Sequence, residues 1–258
     1  MDLSLIKNKL AASQSKNVKR EKIDYSLIFF KPKPGKYQIR ILPSKFDKSN
    51  PFREIYFHYG FSKGPILALT NWNEKDPIAD FAKNLRKSSD KEDWQLAKKI
   101  EPKLRYFVPV LVRGEEAQGV RFWGFGKTVY QELLSVIADP DYGDITDPVS
   151  GRDVAVEFKT AEETGKSFPS TSIRVKPNQT PIIEDKAKLE AMLDNQKNIA
   201  DLYQELSYEE LTGVLNEWLN PSEEGDETKK EAAPVSATIT ESTKVEDTSA
   251  AFDELFNK

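Results

Sequence analysis

Leu104-Arg105-Tyr106-Phe107-Val108-Pro109-Val110-Leu111-Val112, followed after Gly114-Glu115-Glu116-Ala117-Gln118-Gly119 by Val120-Arg121-Phe122-Trp123-Gly124-Phe125, decides how this chain folds. Both runs are rich in aromatic and β-branched residues, and the polar connection between them carries glycine at each end, so they predict two strands paired as a hairpin. Side chains alternate between the faces of a strand. Alternation therefore groups Arg105, Phe107, Leu111 and Arg113 on one face and Tyr106, Val108, Val110 and Val112 on the other. In the partner strand it groups Arg121, Trp123 and Phe125 against Val120 and Phe122. Guanidinium beside an aromatic ring is the composition of a platform on which nucleic-acid bases stack. The alternative is that Trp123 and Phe125 pack beneath the charged helical insert.

Outward from this hairpin the period stays at two on the N-terminal side: Tyr37, Ile39 and Ile41 alternate with Gln38 and Arg40, and Arg53 to Tyr59 and Ile66 to Thr70 read as further short strands, separated by Pro43, Pro51 and Gly64-Pro65. Between them and the hairpin, Ile78 to Leu85 and Trp94 to Ile100 read as a charged helical insert opened by Asp76-Pro77. After the hairpin, Val129, Leu133, Leu134 and Ile137 mark one helix face; strands follow at Asp153 to Phe158 and Ser172 to Lys176. Residues 184–199 and 207–219 read as two amphipathic helices, the second opened by Ser207 with Glu210 three residues on, a capping-box pattern. The predicted class is mainly β with helices (α+β). It is a small barrel of short strands with a charged insert near 77–100, C-terminal helices and an acidic tail that is disordered because it lacks apolar residues to bury.

The charge is split along the chain. Residues 1–127 hold 26 Lys+Arg against 14 Asp+Glu, and residues 128–258 hold 12 against 28, so a formal −4 conceals a strong asymmetry. Basic Lys98, Lys99, Lys103, Arg105, Arg121 and Lys127, with Arg40, Lys45, Lys63, Arg86 and Lys87 further back, could line a groove for phosphates, or could form an ordinary solvated face. An acidic flexible tail would compete with a polyanion for such a groove. The expectation is a polynucleotide binder; the alternative is an adaptor whose basic face binds an acidic protein.

Several function classes lack the residues they need. The chain has no cysteine and one histidine, His58, so thiolate metal sites, disulfides and a histidine-based triad cannot be assembled, and His58 reads as a neutral polar strand residue. Gly124-Phe125-Gly126-Lys127-Thr128 ends like a phosphate loop, but Val120 stands where the first glycine is required. Asp139, Asp141 and Asp144 read as turn formers without the spacing of a cation loop. Catalysis is not expected, nor is a cofactor. The longest apolar stretch, Val108 to Val112, is far too short to span a bilayer, and no secretory block opens the chain, so an intracellular location is expected.

Ile39-Arg40-Ile41-Leu42-Pro43-Ser44-Lys45, Pro51-Phe52, His58-Tyr59-Gly60-Phe61, then Tyr106-Phe107 with Val110-Leu111-Val112, and Val120-Arg121-Phe122-Trp123-Gly124-Phe125-Gly126-Lys127 before a helix, resemble in order and spacing the single-stranded DNA-binding (helix-destabilising) proteins of T-even-like bacteriophages. The resemblance covers most of residues 36–138. It implies an OB-type barrel over 23–220 that coats single-stranded DNA without sequence preference, in replication, recombination and repair in the cytoplasm of an infected bacterium. It also implies a basic arm over 1–22 (Lys7, Lys9, Lys16, Lys19, Arg20) for cooperative self-association. An acidic tail over 221–258, ending in Phe252-Asp253-Glu254-Leu255-Phe256, would bind phage replication and recombination proteins. By the same resemblance Trp72, Tyr106 and Trp123 fall where the family places cleft aromatics, whereas alternation puts Phe107 on the Arg105 face; both Tyr106 and Phe107 stand as candidates. The DNA-binding set is thus Arg40, Lys45, Trp72, Lys103, Arg105, Tyr106, Phe107, Arg121, Trp123 and Lys127. The family's structural zinc is held by histidine and a Cys-Pro-x-Cys element that reads Asp76-Pro77-Ile78-Ala79 here, so no zinc is expected, and the insert is expected to be held by packing through Ile78, Phe81, Leu85, Trp94 and Leu96.

Overall fold

In the computed structural model, residues 25–62 and 64–220 are described. Eight strands form one mixed sheet: β1 (Phe29–Phe30), β2 (Gly35–Ile41), β3 (Arg53–His58), β4 (Ile66–Leu67), β5 (Lys103–Val112), β6 (Arg121–Phe125), β7 (Arg152–Lys159) and β8 (Ser170–Gln179). Six helices accompany them: α1 (Pro77–Leu85), α2 (Lys91–Ile100), α3 (Lys127–Ile137), α4 (Ala161–Thr164), α5 (Lys186–Asp194) and α6 (Tyr208–Leu219).

The long strand β5 organises the sheet, whose order is β1-β6-β5-β2-β7-β8 with β3 branching from β5 to carry β4. Phe107 pairs with both Gly124 of β6 and Arg53 of β3, and Val110 with both Arg121 of β6 and Ile41 of β2. A strand has only two edges, so β6 occupies one and β3 then β2 share the other. Pro109 falls at the hand-over. It contributes only its carbonyl, which accepts from the Leu42 N–H at 2.9 Å, and it has no N–H to leave unmatched. This branching curls the sheet about a core of Ile39 and Ile41, Val108 and Val110, Trp123, Val154 and Val156, closed by Val129 and Leu133 of α3.

Directly opposed residues of an antiparallel pair share a face. Since Tyr106 opposes Phe125 and Val108 opposes Trp123, the expected orientation of β6 is reversed: Trp123 (1 % exposed) and Phe125 point into the core, and Phe122 lies on the other side. Alternation could not decide this because both sides of the hairpin are covered. A second cluster, Ile28, Phe29, Ile55, Phe57, Leu67, Phe107 and Ile199, packs on the outer face of β3 and β5.

The insert lies between β4 and β5. Asp76 caps α1 by accepting from the Ala79 N–H at 2.9 Å, with Pro77 at the first helical position. Ile78, Phe81 and Leu85 of α1 meet Ala97 and Ile100 of α2 and Leu211, Val214 and Leu215 of α6, with Leu96 packed alongside. Trp94, expected in this packing, lies outside it at 44 % exposed, with the Arg86 guanidinium 4.8 Å and the Lys98 ammonium 5.6 Å from its ring. Helix α6 begins with the capping box formed by Ser207 and Glu210. The β run expected over 66–70 stops at Leu67 and turns into a 3-10 turn, Leu69–Trp72, ended by Asn73 in the left-handed region at φ 59°. This is the mixed α+β, OB-type arrangement with helical insert and C-terminal helices that the sequence predicts; the basic arm and acidic tail lie outside the described residues.

Candidate nucleic-acid interface

A cleft of about 930 Å³ opens along β1 and β6 and reaches the loop before β8. Nine of its 20 lining residues are aromatic: Tyr25, Phe29, Phe30, Tyr59, Phe107, Trp123, Phe125, Phe158 and Tyr203. The two charged ones, Lys31 and Arg105, are both cationic. Among the described residues no carboxylate lines it. A wall of rings with positive charge at the rim suits an unpaired polynucleotide, whose bases stack and whose phosphates need cations.

Three chain segments far apart in sequence build the wall. Exposed Arg105 on β5 holds its guanidinium 5.7 Å from the Tyr59 ring, just beyond β3. Tyr25, in the 3-10 turn before β1, is 51 % exposed and stacks on Phe29 at 6.3 Å and 26°. Tyr203 follows a 3-10 turn at Ile199–Leu202 and meets Phe57 edge-on at 4.8 Å. Burial, with Tyr59 and Tyr25 nearby, pushes the Tyr203 hydroxyl far above the ordinary tyrosine range, so it stays neutral and adds no negative charge to the cleft.

The floor is set by glycine. Phe107 lies across Gly124, where an added Cβ would come within 2.7 Å of the Phe107 ring. Gly126 then starts α3 without a side-chain cap, the first turn of α3 holds no acidic residue, and Gly126 and Thr128 line the cleft. The helix's unpaired N–H groups and the positive end of its dipole therefore add to the field of Lys31 and Arg105.

Of the ten predicted residues, the structure brings Arg105, Phe107 and Trp123 to this cleft. Lys103 lies on the same strand face as Arg105, and exposed Lys127 begins the adjoining helix. Phe107 and Trp123 are 7 % and 1 % exposed, so they underlie the wall rather than present free faces. Tyr106 points into the core, where it stacks on Tyr130 at 3.8 Å and 15°. Of the two candidates, Phe107 is the one that lies on the Arg105 side. Trp72, 40 % exposed in the 3-10 turn after β4, stands outside the cleft lining.

Three basic candidates are held in structural pairings. Arg40 is fully buried: its Nη1 lies 3.4 Å from Asp153 Oδ1 and donates to Thr180 Oγ1 at 3.2 Å, and its Nη2 donates to the carbonyl of Asp147 at 2.9 Å. Asp153 is bound in turn by Arg113 and Gln38. Burial alone would raise the Asp153 carboxyl, but the bonds from Arg113 and Gln38 outweigh it and hold the group below the usual carboxylate range. Arg121, 6 % exposed, closes the β5–β6 connection through Glu115 and Gln118. Lys45 donates its ammonium to the carbonyl of Asp194 at the C-terminus of α5, where a cation complements the dipole.

Sequence reasoning missed Tyr25, Lys31, Tyr59 and Tyr203 as wall residues. Tyr59 stands in an aromatic run that could have marked it, whereas Tyr203 carries no local signal, because only the return of the chain after α5 brings it to β3. The acidic turns are turn formers as expected: Asp139 accepts from the Asp141 N–H, and Asp144 from the N–H and hydroxyl of Thr146. No helix among the described residues is long and apolar enough to cross a membrane.

Over residues 33–218 the chain matches the protein-family model described as gp32 DNA binding protein like. Among curated proteins there is no match.

Proposed function

This chain belongs to the gp32 DNA-binding-protein-like family, and on that premise we propose that it coats single-stranded DNA without reading its sequence. The observation that carries this reading is the cleft in which Lys31 and Arg105 stand over a wall of aromatic rings, with no carboxylate among the described lining residues. Rings stack on any base, and cations meet any phosphate, so the site favours unpaired over paired strands rather than one sequence over another. Preferential binding to single strands then lowers duplex stability by mass action, with no bond made or broken.

The finer assignment follows the division of charge. Residues 23–220 form the DNA-binding core; the arm over 1–22, through Lys7, Lys9, Lys16, Lys19 and Arg20, docks on a neighbouring copy to give cooperative filaments. The tail over 221–258 recruits replication and recombination proteins through Phe252, Leu255 and Phe256, with Asp253 and Glu254 supplying charge, in the cytoplasm of an infected bacterium.

The test is a titration of labelled oligo(dT) of increasing length, followed by anisotropy at several salt concentrations, with a duplex of equal length and polyglutamate as competitors. Tight binding to oligo(dT) that weakens steeply with salt, and weak competition by duplex, is expected. Indifference to oligo(dT) at low ionic strength overturns the reading, and polyglutamate competing as well as DNA would point to the acidic-protein adaptor.

A further inference from the structure

The residues standing where the resembling family holds zinc do not fit a metal. The chain has no cysteine, Ala79 offers only a methyl group, and no group of three or more His, Cys, Asp or Glu side chains among the described residues could hold an ion. The two polar residues that remain are already engaged with each other and with the backbone. His58, at the end of β3, is 0 % exposed and Asp76, at the start of α1, is 2 % exposed. His58 Nε2 lies 2.9 Å from Asp76 Oδ2, and His58 Nδ1 lies 2.8 Å from the carbonyl oxygen of Ile100, the last residue of α2. Asp76 Oδ2 also accepts from the Leu69 N–H at 2.8 Å, and Asp76 Oδ1 from the Ala79 N–H at 2.9 Å.

Both neighbours of the imidazole are acceptors. A carbonyl oxygen has no proton to give, and a carboxylate already taking two backbone N–H bonds is anionic; a neutral imidazole would turn a lone pair toward one of them. A ring protonated at both nitrogens satisfies each, fills one of the unpaired carbonyls at the end of α2, and neutralises the buried carboxylate. Burial would raise the Asp76 carboxyl, but the His58 bond and charge, with the Ala79 and Leu69 N–H groups, hold it below the usual range.

We propose that a metal-free clasp, the His58 imidazolium bound between Asp76 and the Ile100 carbonyl, replaces the zinc centre in this chain and fastens the α1–α2 insert to the barrel. It joins four segments (the end of β3, the turn after β4, the start of α1 and the end of α2), the kind of cross-link that a tetrahedral metal would otherwise supply. Tyr59 follows His58 directly, so the same clasp sets the cleft ring that faces Arg105.

The full-length chain, purified after growth in zinc-supplemented medium, tests this. Expected results are substoichiometric zinc and an unfolding midpoint unmoved by Zn²⁺ or chelator. The lone histidine, ¹⁵N-labelled in its ring, is expected to show two slowly exchanging ring N–H protons. Asp76→Asn keeps the helix cap but removes the charge, and is expected to speed proteolytic cleavage within 77–100 by about tenfold or more, whereas Asp80→Asn in the same helical turn leaves it unchanged. One bound zinc per chain that raises the midpoint, a single ring N–H, or wild-type cleavage of Asp76→Asn each overturns the clasp. The wild-type ring spectrum decides the matter if Asp76→Asn fails to fold. None of these readouts involves DNA, so they stand apart from the proposed function.

Discussion

Arg105 and Arg40 show how little a residue's type says about its work. Both lie on strands and both are arginines in the basic half, yet Arg105 is exposed beside the Tyr59 ring while Arg40 is enclosed by Asp153, Thr180 and the Asp147 carbonyl. Arg105→Ala should weaken oligo(dT) binding and reduce the salt slope by about one, while leaving the urea midpoint close to wild type. Arg40→Met should do the opposite, lowering stability by about 3–5 kcal/mol because Asp153 loses a buried partner, with affinity per folded molecule retained. If Arg40→Met melts like the wild type, or Arg105→Ala binds like it, these assignments are reversed. The sequence placed both arginines in one basic set because the partner that immobilises Arg40 lies 113 residues away. Asp153 carries no mark of that pairing in its own neighbourhood.

At the scale of elements, the helices and strands were legible where pattern and punctuation agree. Asp76-Pro77 starts α1, Ser207 with Glu210 starts α6, and the hairpin of β5 and β6 runs where its β-branched and aromatic residues do. Alternation in β5 was also right: Phe107 lies opposite Tyr106 across the strand. What it could not provide was the side that faces the barrel in β6, since a sheet covered on both faces has no polar side to orient it. Gly124 is the element-scale residue that joins these strands to the cleft. Gly124→Ala would bring a methyl group within 2.7 Å of the Phe107 ring. It should cost about 1–3 kcal/mol in denaturant unfolding as the ring is displaced, and should lower DNA affinity as the floor of the cleft moves. Unchanged unfolding and affinity would mean that Phe107 has room to yield.

Over the whole molecule, charge works at two ranges. Inside the fold, Asp153 and Asp76 are held ionised by buried partners, below the ordinary carboxylate range. A depressed folded value makes their contribution complete above the unfolded carboxylate range near pH ~4, and lost as pH falls through the folded value. Thermal midpoints should therefore fall steeply as pH drops below about 4; a midpoint that holds or rises on acidification below that pH would contradict this sign. At longer range, residues 221–258 hold ten Asp+Glu against four Lys. Removing residues 222–258 should increase duplex-melting activity if the tail shields the cationic cleft, most visibly at low salt. Unchanged activity would leave the tail with partner recruitment alone.

The sequence by itself determined the strands from β2 to β8 and the longer helices, the position of the insert, the asymmetry of charge and the absence of thiolates, because each is written in local pattern, punctuation or composition; the two-residue β1 and the short α4 left no such mark. Only the tertiary structure decided which basic residues are free, which face of β6 is core, and that Tyr25, Tyr59 and Tyr203 share one wall. Burial and pairing are set by segments that meet after the chain has folded back on itself. A strand's own alternation records that its faces differ, but not what covers them.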